Sequence, residues 1–266
     1  MTEIDIAFSP CPNDTFIFHA LLHKCVDTGP FEFTPHIDDV EALNAAAFKD
    51  TFSVTKLSFH AYLLLRDRYE LLDSGSALGY GCGPLLVAKK ALKNPANAKI
   101  AIPGMYTTAY LLLRLWCPGI QNIEATRFDN ILPGVESGRY DAGLIIHEGR
   151  FTYPHYHCIK IIDLGEWWEE KTSMPIPLGC IAVRKVPSIL RHKPEIESIL
   201  KSSVQYAMNH RNASRPFVIR HAQELDDEVI KKHIGFYVND FTVSLGETGI
   251  KAVQMLEEMA RCRKIL

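Results

Sequence analysis

Short apolar runs alternate with amphipathic stretches along the first part of the chain. Residues 4–8, 31–37 and 52–57 have the apolar or alternating pattern that is typical of β-strands. Residues 15–24 and 40–48 have the spacing of apolar positions that is typical of helices. Strands that alternate with helices in this way predict an α/β fold with mostly parallel strands.

A second unit of the same kind follows. Its predicted elements are, in chain order, strand 99–102, helix 107–116, strand 122–127, helix 130–137 and strand 142–146. Two stretches rich in glycine and proline, 78–84 and 175–179, flank this unit, and each leads into an extended segment. Such stretches are typical of a chain that crosses from one lobe to another.

The two crossings predict a two-lobed fold with a cleft between the lobes. We expect residues 1–86 and 184–266 to form the larger α/β lobe and residues 87–183 the smaller one. In α/β sheets, ligands bind in the crevice beyond the carboxyl ends of the strands. The cleft is therefore the expected ligand site.

The composition is that of an ordinary globular protein. Of 266 residues, 47% are hydrophobic, and the formal net charge of −2 gives no electrostatic reason to expect nucleic acid or a membrane surface as a partner. No apolar run approaches the roughly 20 residues that span a bilayer. The start of the chain, MTEIDIAFSP, lacks the basic and long apolar regions of a signal peptide, so we expect a cytoplasmic protein.

The seven cysteines are odd in number and scattered, and no CxxC motif occurs. Reduced thiols are expected rather than a disulfide framework. His155, His157 and Cys158 lie close together in the sequence, but no second pair of ligands stands at the spacing of a zinc finger. We therefore predict no bound metal.

The strongest candidate for chemistry is the segment DAGLIIHEGR at 141–150. Its apolar run ends abruptly in His147 and Glu148, as in a buried strand that opens onto a cleft. An imidazole at that place titrates near neutrality and can act as a general base, with an expected pKa of about 6–7. The alternative is a histidine that caps the strand by hydrogen bonds to the backbone.

Residues 102–109, IPGMYTTA, run from a strand into a helix start. The first amides of a helix lack backbone partners, and the helix dipole is positive there. The amides of Thr108, Ala109 and Tyr110 are therefore a candidate site for a carboxylate or phosphate, with hydroxyl groups from Thr107 and Thr108 nearby. The alternative is a simple helix cap by threonine.

A second strand-to-helix junction lies at residues 55–58, TKLS. Lys56 is either a ligand for an anionic substrate or a solvated surface charge. Ser58 has no GxSxG elbow around it, so we expect a hydrogen-bonding or capping role for it. The segment EWWEE at 166–170 offers aromatic rings for stacking, but packing under a loop is the favoured interpretation there.

Five segments, taken together, resemble one family. They are SPCPNDTFIFHAL at 9–21, TKLSFHA at 55–61, LGYGCGPLL at 78–86, PGMYTTAYLLL at 103–113 and DAGLIIHEGR at 141–150. In this order, and over nearly the whole chain, they resemble the 1,4-dihydroxy-6-naphthoate synthases of the futalosine branch of menaquinone biosynthesis. The resemblance implies the two-lobed fold of type II periplasmic solute-binding proteins, used for catalysis in the cytoplasm.

The same resemblance implies a reaction and a set of site residues. The family converts cyclic dehypoxanthinyl futalosine to 1,4-dihydroxy-6-naphthoate and releases the sugar-derived fragment, as a carbon–carbon lyase without metal or organic cofactor. His147 resembles its proton acceptor. Lys56, Leu57 and Ser58 match its first substrate-binding segment, and Thr107 with Thr108 matches the second. A small-molecule substrate is thus expected, without nucleic acid or membrane, and the formation of a homodimer is left open.

Two other functions fit the same fold. One is a non-catalytic solute-binding protein for a small aromatic carboxylate, and the other is the related chorismate dehydratase of the same pathway. The missing signal peptide and the position of His147 argue against passive binding. The IHEG element at 146–149 favours the synthase over the dehydratase.

Overall fold

In the computed structural model of this chain, residues 2–222 and 226–266 are described. Residue 1 and residues 223–225, which fall within the predicted larger lobe, lie outside the described residues. Strands assemble into two sheets, and α-helices alternate with strands along much of the chain. This arrangement confirms the predicted α/β class.

The strands of the described residues are numbered in chain order. They are β1 (Thr2–Phe8), β2 (Phe31–Ile37), β3 (Val54–Ser58), β4 (Tyr69–Leu71), β5 (Ala77–Gly79), β6 (Leu85–Ala88), β7 (Ile100–Ile102), β8 (Ile123–Ala125), β9 (Ala142–Ile145), β10 (Ile159–Asp163) and β11 (Ile176–Arg184).

The α-helices are numbered in the same way. They are α1 (Pro12–Leu22), α2 (Val40–Ala47), α3 (Phe59–Leu64), α4 (Thr108–Trp116), α5 (Ile131–Glu136), α6 (Gly149–Thr152), α7 (Leu164–Thr172), α8 (Pro187–Leu190), α9 (Lys193–Asn209), α10 (Arg215–His221), α11 (Asp227–Tyr237), α12 (Asp240–Val243) and α13 (Gly246–Cys262). Short 3₁₀ helices lie at Pro95–Asn97, Phe128–Asn130 and Tyr153–Tyr156.

Both sheets are mixed. The first has the order β2–β1–β3–β11–β4, with β5 also paired to β11, and the second has the order β10–β6–β9–β7–β8. In the first sheet β11 is antiparallel to β3, β4 and β5, and in the second sheet β6 is antiparallel to β9 and β10. The prediction of mostly parallel strands was wrong because β6 and β11 each enter their sheet from the other one, against the direction of their neighbours.

The residues of each sheet differ from those of the corresponding predicted lobe near the lobe boundaries. Strand β6 belongs to the second sheet, whereas β11 returns to the first. Residues 176–183, expected in the smaller lobe, therefore lie in the first sheet. The division of the chain at residues 86 and 183 stays a prediction, and strand membership favours boundaries between β5 and β6 and before β11.

The core of the first sheet is built by the apolar faces of its helices. Helix α9 buries residues at helical spacing, among them Ile196, Leu200 and Val204, and these pack in one cluster with Phe8 and Phe16. Each such side chain contributes about 1.5–3 kcal/mol when it leaves water. This burial fixes α1, and with it the residues that precede α1, against the end of β1.

Residues 166–170 form part of α7 rather than a loop. Asp163 caps this helix by accepting hydrogen bonds from the amides of Gly165 and Glu166. Trp168 is fully buried, and its indole N–H donates to the carbonyl of Pro175 at 3.1 Å. Its ring is thus a core element, in agreement with the packing interpretation.

Two glycines allow the chain to pass α7 where it enters the second sheet. A Cβ atom on Gly83 would lie 2.2 Å from the amide nitrogen of Gly165 and 2.3 Å from its Cα. Backbone cannot yield as a flexible side chain can. The contact between Gly83 and Gly165 therefore requires glycine in the GYGCGP segment.

We predict that Gly83→Ala destabilises the protein. The added methyl group overlaps with backbone, and overpacking of this kind typically costs about 1–3 kcal/mol. The free energy of unfolding, measured by urea denaturation, should fall by that amount.

Gly235→Ala is the matched control, because the residue is inside α11 and a methyl group added there would meet no side chain or neighbouring element within 4 Å. Alanine in a helix interior is favoured over glycine by roughly 0.5–1 kcal/mol. If Gly83→Ala were as stable as Gly235→Ala, the close passage of the two glycines would be contradicted.

Candidate active site

A cavity lies where the carboxyl ends of strands from both sheets meet. Its empty space, with the open mouth included, is about 640 Å³. It is lined by Ser9, Asn13, Asp14, Val40, Lys56, Ser58, Ala77, Cys82, Pro84, Thr107, Thr108, Ala109, Ile146, His147, Leu178, Gly179 and Tyr237.

The cavity brings together most of the residues singled out in the sequence. Lys56 and Ser58 reach it from the end of β3, Thr107 and Thr108 from the start of α4, and His147 from the end of β9. Leu57 is the exception. Side chains alternate along a strand, so Leu57 points away from its two neighbours and is fully buried in the apolar core.

His147 follows β9 in a strained backbone conformation. Its φ of +53° lies in the left-handed region, which is uncommon for residues other than glycine and is often found at functional sites. The half-buried ring meets the edge of Phe128, with centroids 5.0 Å apart, and lies parallel to His233 at 6.1 Å. The turn thus places the imidazole in the cavity wall.

The sulfur of Cys11 contacts the His147 ring. It lies 3.3 Å from Nδ1 and 3.6 Å from Nε2. Nearly equal distances to both nitrogens place the sulfur beside the ring rather than along one nitrogen's lone pair. Burial, together with Glu148 and Asp14, raises the pKa of the Cys11 thiol well above its ordinary value, so the imidazole packs against a neutral thiol.

His147 is a neutral imidazole at pH 7. Burial lowers the pKa of its ring to about 4, while the Asp14 carboxylate raises it and the Lys56 ammonium lowers it. The expected pKa of about 6–7 is therefore too high. Sequence reasoning missed the shift because it depends on the burial of the ring by residues that are distant in the chain and on the charge of Lys56.

A buried ion pair forms the floor of the site. The Lys56 ammonium donates to Oδ1 of Asp14 at 2.6 Å, and the two side chains are 6% and 0% exposed. The other oxygen of Asp14 accepts from the hydroxyl of Ser9 at 2.6 Å and from its amide at 3.2 Å. Lys56 is thus neither a solvated surface charge nor an unpaired cation.

Asn13 extends this network to α11. Its Nδ2 donates to Asp14 at 2.8 Å, which leaves its Oδ1 to accept from Nε2 of the buried His233 at 2.9 Å. Burial, with His147 and Lys56 nearby, lowers the pKa of His233 well below its ordinary value. His233 is therefore neutral, with its proton on Nε2.

The two threonines of the second segment have separate roles. Thr107 caps α4 by accepting from the amide of Tyr110 at 3.2 Å, so one amide of the expected anion site is already occupied. The Thr108 hydroxyl donates to the carbonyl of Leu178 at 2.6 Å and so joins α4 to β11. The amides of Thr108 and Ala109, which precede the first intrahelical hydrogen bond, stay oriented for a ligand.

Neutral groups complete the wall of the cavity. Burial raises the pKa of Cys82 to about 12, and it also raises the pKa of Tyr237. Both therefore keep their protons at pH 7. Among the residues at the cavity, Lys56 and Asp14 carry the opposite charges of the floor, and His147 is a neutral base beside them.

Metal-binding and membrane-spanning features are both absent from the part of the chain that the structure describes. In residues 2–222 and 226–266, no group of three or more histidine, cysteine, aspartate or glutamate side chains is arranged to hold a metal ion. Within the same residues, no helix is both long and apolar enough to cross a membrane.

Sequence reasoning missed several residues of the site. Asp14 lies in the first turn of α1, which begins at Pro12, and its carboxylate accepts a hydrogen bond from Lys56. Cys11 and His233 carried no local signal, because their partners are more than 130 residues away in the chain. For Cys11, the sequence offers one indirect signal. Pro12 is typical of the first position of a helix, and it places Cys11 at the helix cap.

Comparison with known proteins identifies the family. Residues 4–262 match the menaquinone biosynthesis family. The chain is 46% identical to the 1,4-dihydroxy-6-naphthoate synthase of Thermus thermophilus, over 99% of this chain and 96% of the relative. It is 41% identical to the enzyme of the same name from Streptomyces coelicolor, over 95% of this chain and 91% of the relative.

Solved structures agree with the fold. A protein of Archaeoglobus fulgidus, 36% identical, superposes with a TM-score of 0.92 and covers 99% of this chain and 98% of that one. A Candida albicans protein described as having the generic periplasmic binding protein fold is 11% identical, with a TM-score of 0.68 and coverage of 100% and 91%. The two-lobed periplasmic-binding-protein-like fold is thereby confirmed.

We predict that Lys56→Met destabilises the protein strongly. Methionine keeps much of the length of lysine but leaves Asp14 as a buried, unpaired carboxylate. Removal of one partner from a buried pair typically costs about 3–5 kcal/mol. Urea denaturation at pH 7 should show a loss of that size in the free energy of unfolding.

Lys24→Met provides the comparison, because Lys24 and Glu32 form an exposed pair at 3.8 Å with side chains 68% and 53% exposed. Exposed pairs contribute roughly 0–1 kcal/mol. Equal stability of the two methionine variants would mean that the pair of Lys56 and Asp14 is not buried in solution.

Proposed function

The chain belongs to the menaquinone biosynthesis family as a relative of the 1,4-dihydroxy-6-naphthoate synthases, and from this premise we propose that it catalyses the synthase reaction with His147 as general base. The proposed substrate is cyclic dehypoxanthinyl futalosine and the product is 1,4-dihydroxy-6-naphthoate. Loss of the sugar-derived fragment breaks carbon–carbon bonds, which makes the enzyme a lyase. We propose that it acts in the cytoplasm.

One observation carries this proposal. His147 lines a single cavity together with Lys56 and Ser58 on one side and Thr107 and Thr108 on the other. A base must lie within reach of the proton that it removes and must be unprotonated at the working pH. The depressed pKa of the imidazole satisfies the second requirement at any pH above about 5.

Binding of the substrate follows from the charges at the site. A benzoate-type carboxylate needs a cation or free amides, and the cavity offers the Lys56 ammonium and the amides of Thr108 and Ala109. Asp14 already neutralises Lys56, so the ligand would share the ammonium with it. Hydroxyl groups of Ser58 and the two threonines can orient the remaining polar atoms of the ligand.

Chemistry begins with removal of a proton beside a carbonyl group. Neutral His147 accepts this proton and becomes an imidazolium, and negative charge develops on the carbonyl oxygen. Preorganised amides and the ammonium of Lys56 can stabilise that charge. Elimination then releases the sugar-derived fragment, and the aromatic ring of the product forms.

We predict that His147→Asn lowers kcat by about 10²–10⁴-fold, the usual loss when a general base is removed. Asparagine retains some size and hydrogen-bonding capacity, so the protein should stay folded and still bind substrate. The assay follows the new ultraviolet absorbance of the naphthoate, with a thermal melt and a binding titration of the same samples.

His155→Asn is the matched control, because His155 is exposed and lies outside the cavity; it should keep full activity. A folded His147→Asn protein with near-normal turnover would show that the histidine is structural. A native protein that binds the substrate without ever turning it over would instead support a solute-binding protein.

A further inference from the structure

The loop that precedes α4 binds a carboxylate, and this carboxylate is a side chain of the protein itself. The carboxylate of Glu41, on α2 beside the first sheet, accepts the amide of Tyr106 at 3.0 Å to Oε1 and 3.3 Å to Oε2. The nearby backbone of Met105 also helps to keep the pKa of this carboxyl from rising further. Glu41 thus connects α2 to the loop that follows β7 of the second sheet.

The position of this carboxylate requires a glycine at residue 104. A Cβ atom there would lie 2.2 Å from Cδ of Glu41 and 2.5 Å from its Oε2. Any other residue would push the carboxylate off the amide of Tyr106. The PGMY sequence therefore provides both the donor and the space that a carboxylate needs.

On its other side, Glu41 is held by Asn44. Nδ2 of this fully buried asparagine donates to Oε2 of Glu41 and to the hydroxyl of Ser58, both at 3.1 Å, and its Oδ1 accepts the amide of Ser58 at 2.9 Å. Both hydrogens of Nδ2 and the carbonyl oxygen are thus used. The position of Asn44 is fixed by the strand end that carries Ser58.

The hydrogen bonds form one continuous chain across the cleft. It runs from Ser58 through Asn44 and Glu41 to the loop at Tyr106, and Thr107 is tied to the same loop by its hydroxyl, which donates to the carbonyl of Gly104 at 2.9 Å. Its two ends are the two segments expected to bind substrate.

We propose that Glu41 is a positioning residue for the reaction: its carboxylate clasps the loop at 104–106 and holds the Ser58 and Thr107 segments in register across the cleft. The catalytic part of this role rests on the proposed function, whereas the clasp itself does not. Glu41 touches the loop and Asn44, and acts on the substrate only through the residues that they place.

Burial strengthens the contact between Glu41 and the loop. Desolvation raises the pKa of Glu41, and the hydrogen bonds from Tyr106 and Asn44 oppose that shift. Asn44 lies on the same helix as Glu41, so the bond that joins the two sheets is the one from the amide of Tyr106. Charge-assisted hydrogen bonds to backbone amides are among the strong ones, so this bond favours the observed position of the loop.

The first test is hydrogen exchange at the amide of Tyr106, in the native protein and in Glu41→Ala. Loss of the acceptor should speed exchange of this amide about tenfold or more, since a factor of ten corresponds to about 1.4 kcal/mol. The amide of Gly165, which donates to Asp163 at 2.8 Å at the start of α7, is the internal reference and should change little. Unchanged exchange at Tyr106 would overturn the clasp.

Activity provides the second test. Glu41→Ala should raise KM about tenfold and lower kcat less, because substrate and transition state both need the two segments in place. Glu41→Gln should lie between, since its amide offers one acceptor to the loop but turns a donor toward Asn44. Glu247→Gln, an exposed glutamate on α13, is the control and should behave as the native enzyme.

Gly104→Ala approaches the same contact from the other side. Because its methyl group occupies the carboxylate's place, the losses of Gly104→Ala and Glu41→Ala should not add in the double variant. Additive losses would overturn the proposal. If Gly104→Ala fails to fold, the exchange and KM results for the Glu41 variants decide alone.

These outcomes separate the clasp from the proposed function. A native protein without synthase activity would overturn the proposed reaction, while exchange at Tyr106 would still test the clasp. An active native enzyme with fast exchange but unchanged KM in Glu41→Ala would overturn the positioning role.

Discussion

The buried ion pair of Lys56 and Asp14 is the interaction on which the site depends. Two sheets that meet at the carboxyl ends of their strands enclose a cavity, and Lys56 at the end of β3 is carried into it. A charge taken out of water needs a partner and further hydrogen bonds. Asp14 is that partner, and it is held by Ser9 and Asn13, while Asn13 in turn binds His233. The polar floor of the cavity is therefore one connected unit.

Burial at the same site also determines the protonation state of His147. Partial burial disfavours the imidazolium ion, so the ring stays neutral beside an ion pair whose charges nearly cancel. Its immediate contact is the neutral thiol of Cys11 rather than a carboxylate, which would have raised its pKa. A general base with so low a pKa is a weak one, so the catalytic effect proposed for His147 depends on the position of its ring. The strained backbone at His147 is consistent with a ring held in one place.

The sequence was informative where the signal is local. The alternation of strands and helices predicted the α/β class. Polar residues at strand ends were the signal for candidate site residues, and those that share the cavity are Lys56, Ser58, Thr107, Thr108 and His147. Strand direction could not be read, since β11 pairs with β3 across more than a hundred residues. The sequence also contained no signal for the contact that Glu41 makes. The strand–PG–TT–helix pattern predicted a ligand's anion at the amides of Thr108, Ala109 and Tyr110. Glu41 lies instead on the preceding amide of Tyr106, and nothing local in the sequence showed that α2 supplies this carboxylate.

Titration of His147 tests the central claim most directly. Nuclear magnetic resonance of ¹⁵N-labelled imidazole follows its protonation, and His147→Asn assigns the signal. Since the folded pKa lies below that of the unfolded chain, acid also favours unfolding below about pH 6.5, and the range must be limited to pH values at which the protein is folded. We expect a ring that stays neutral down to about pH 5, with a protonation midpoint at about pH 4. On the acidic side, kcat/KM should stay constant down to about pH 5 as well. A midpoint of about 6–7 in both measurements would contradict a base that is kept neutral by its enclosure beside Lys56.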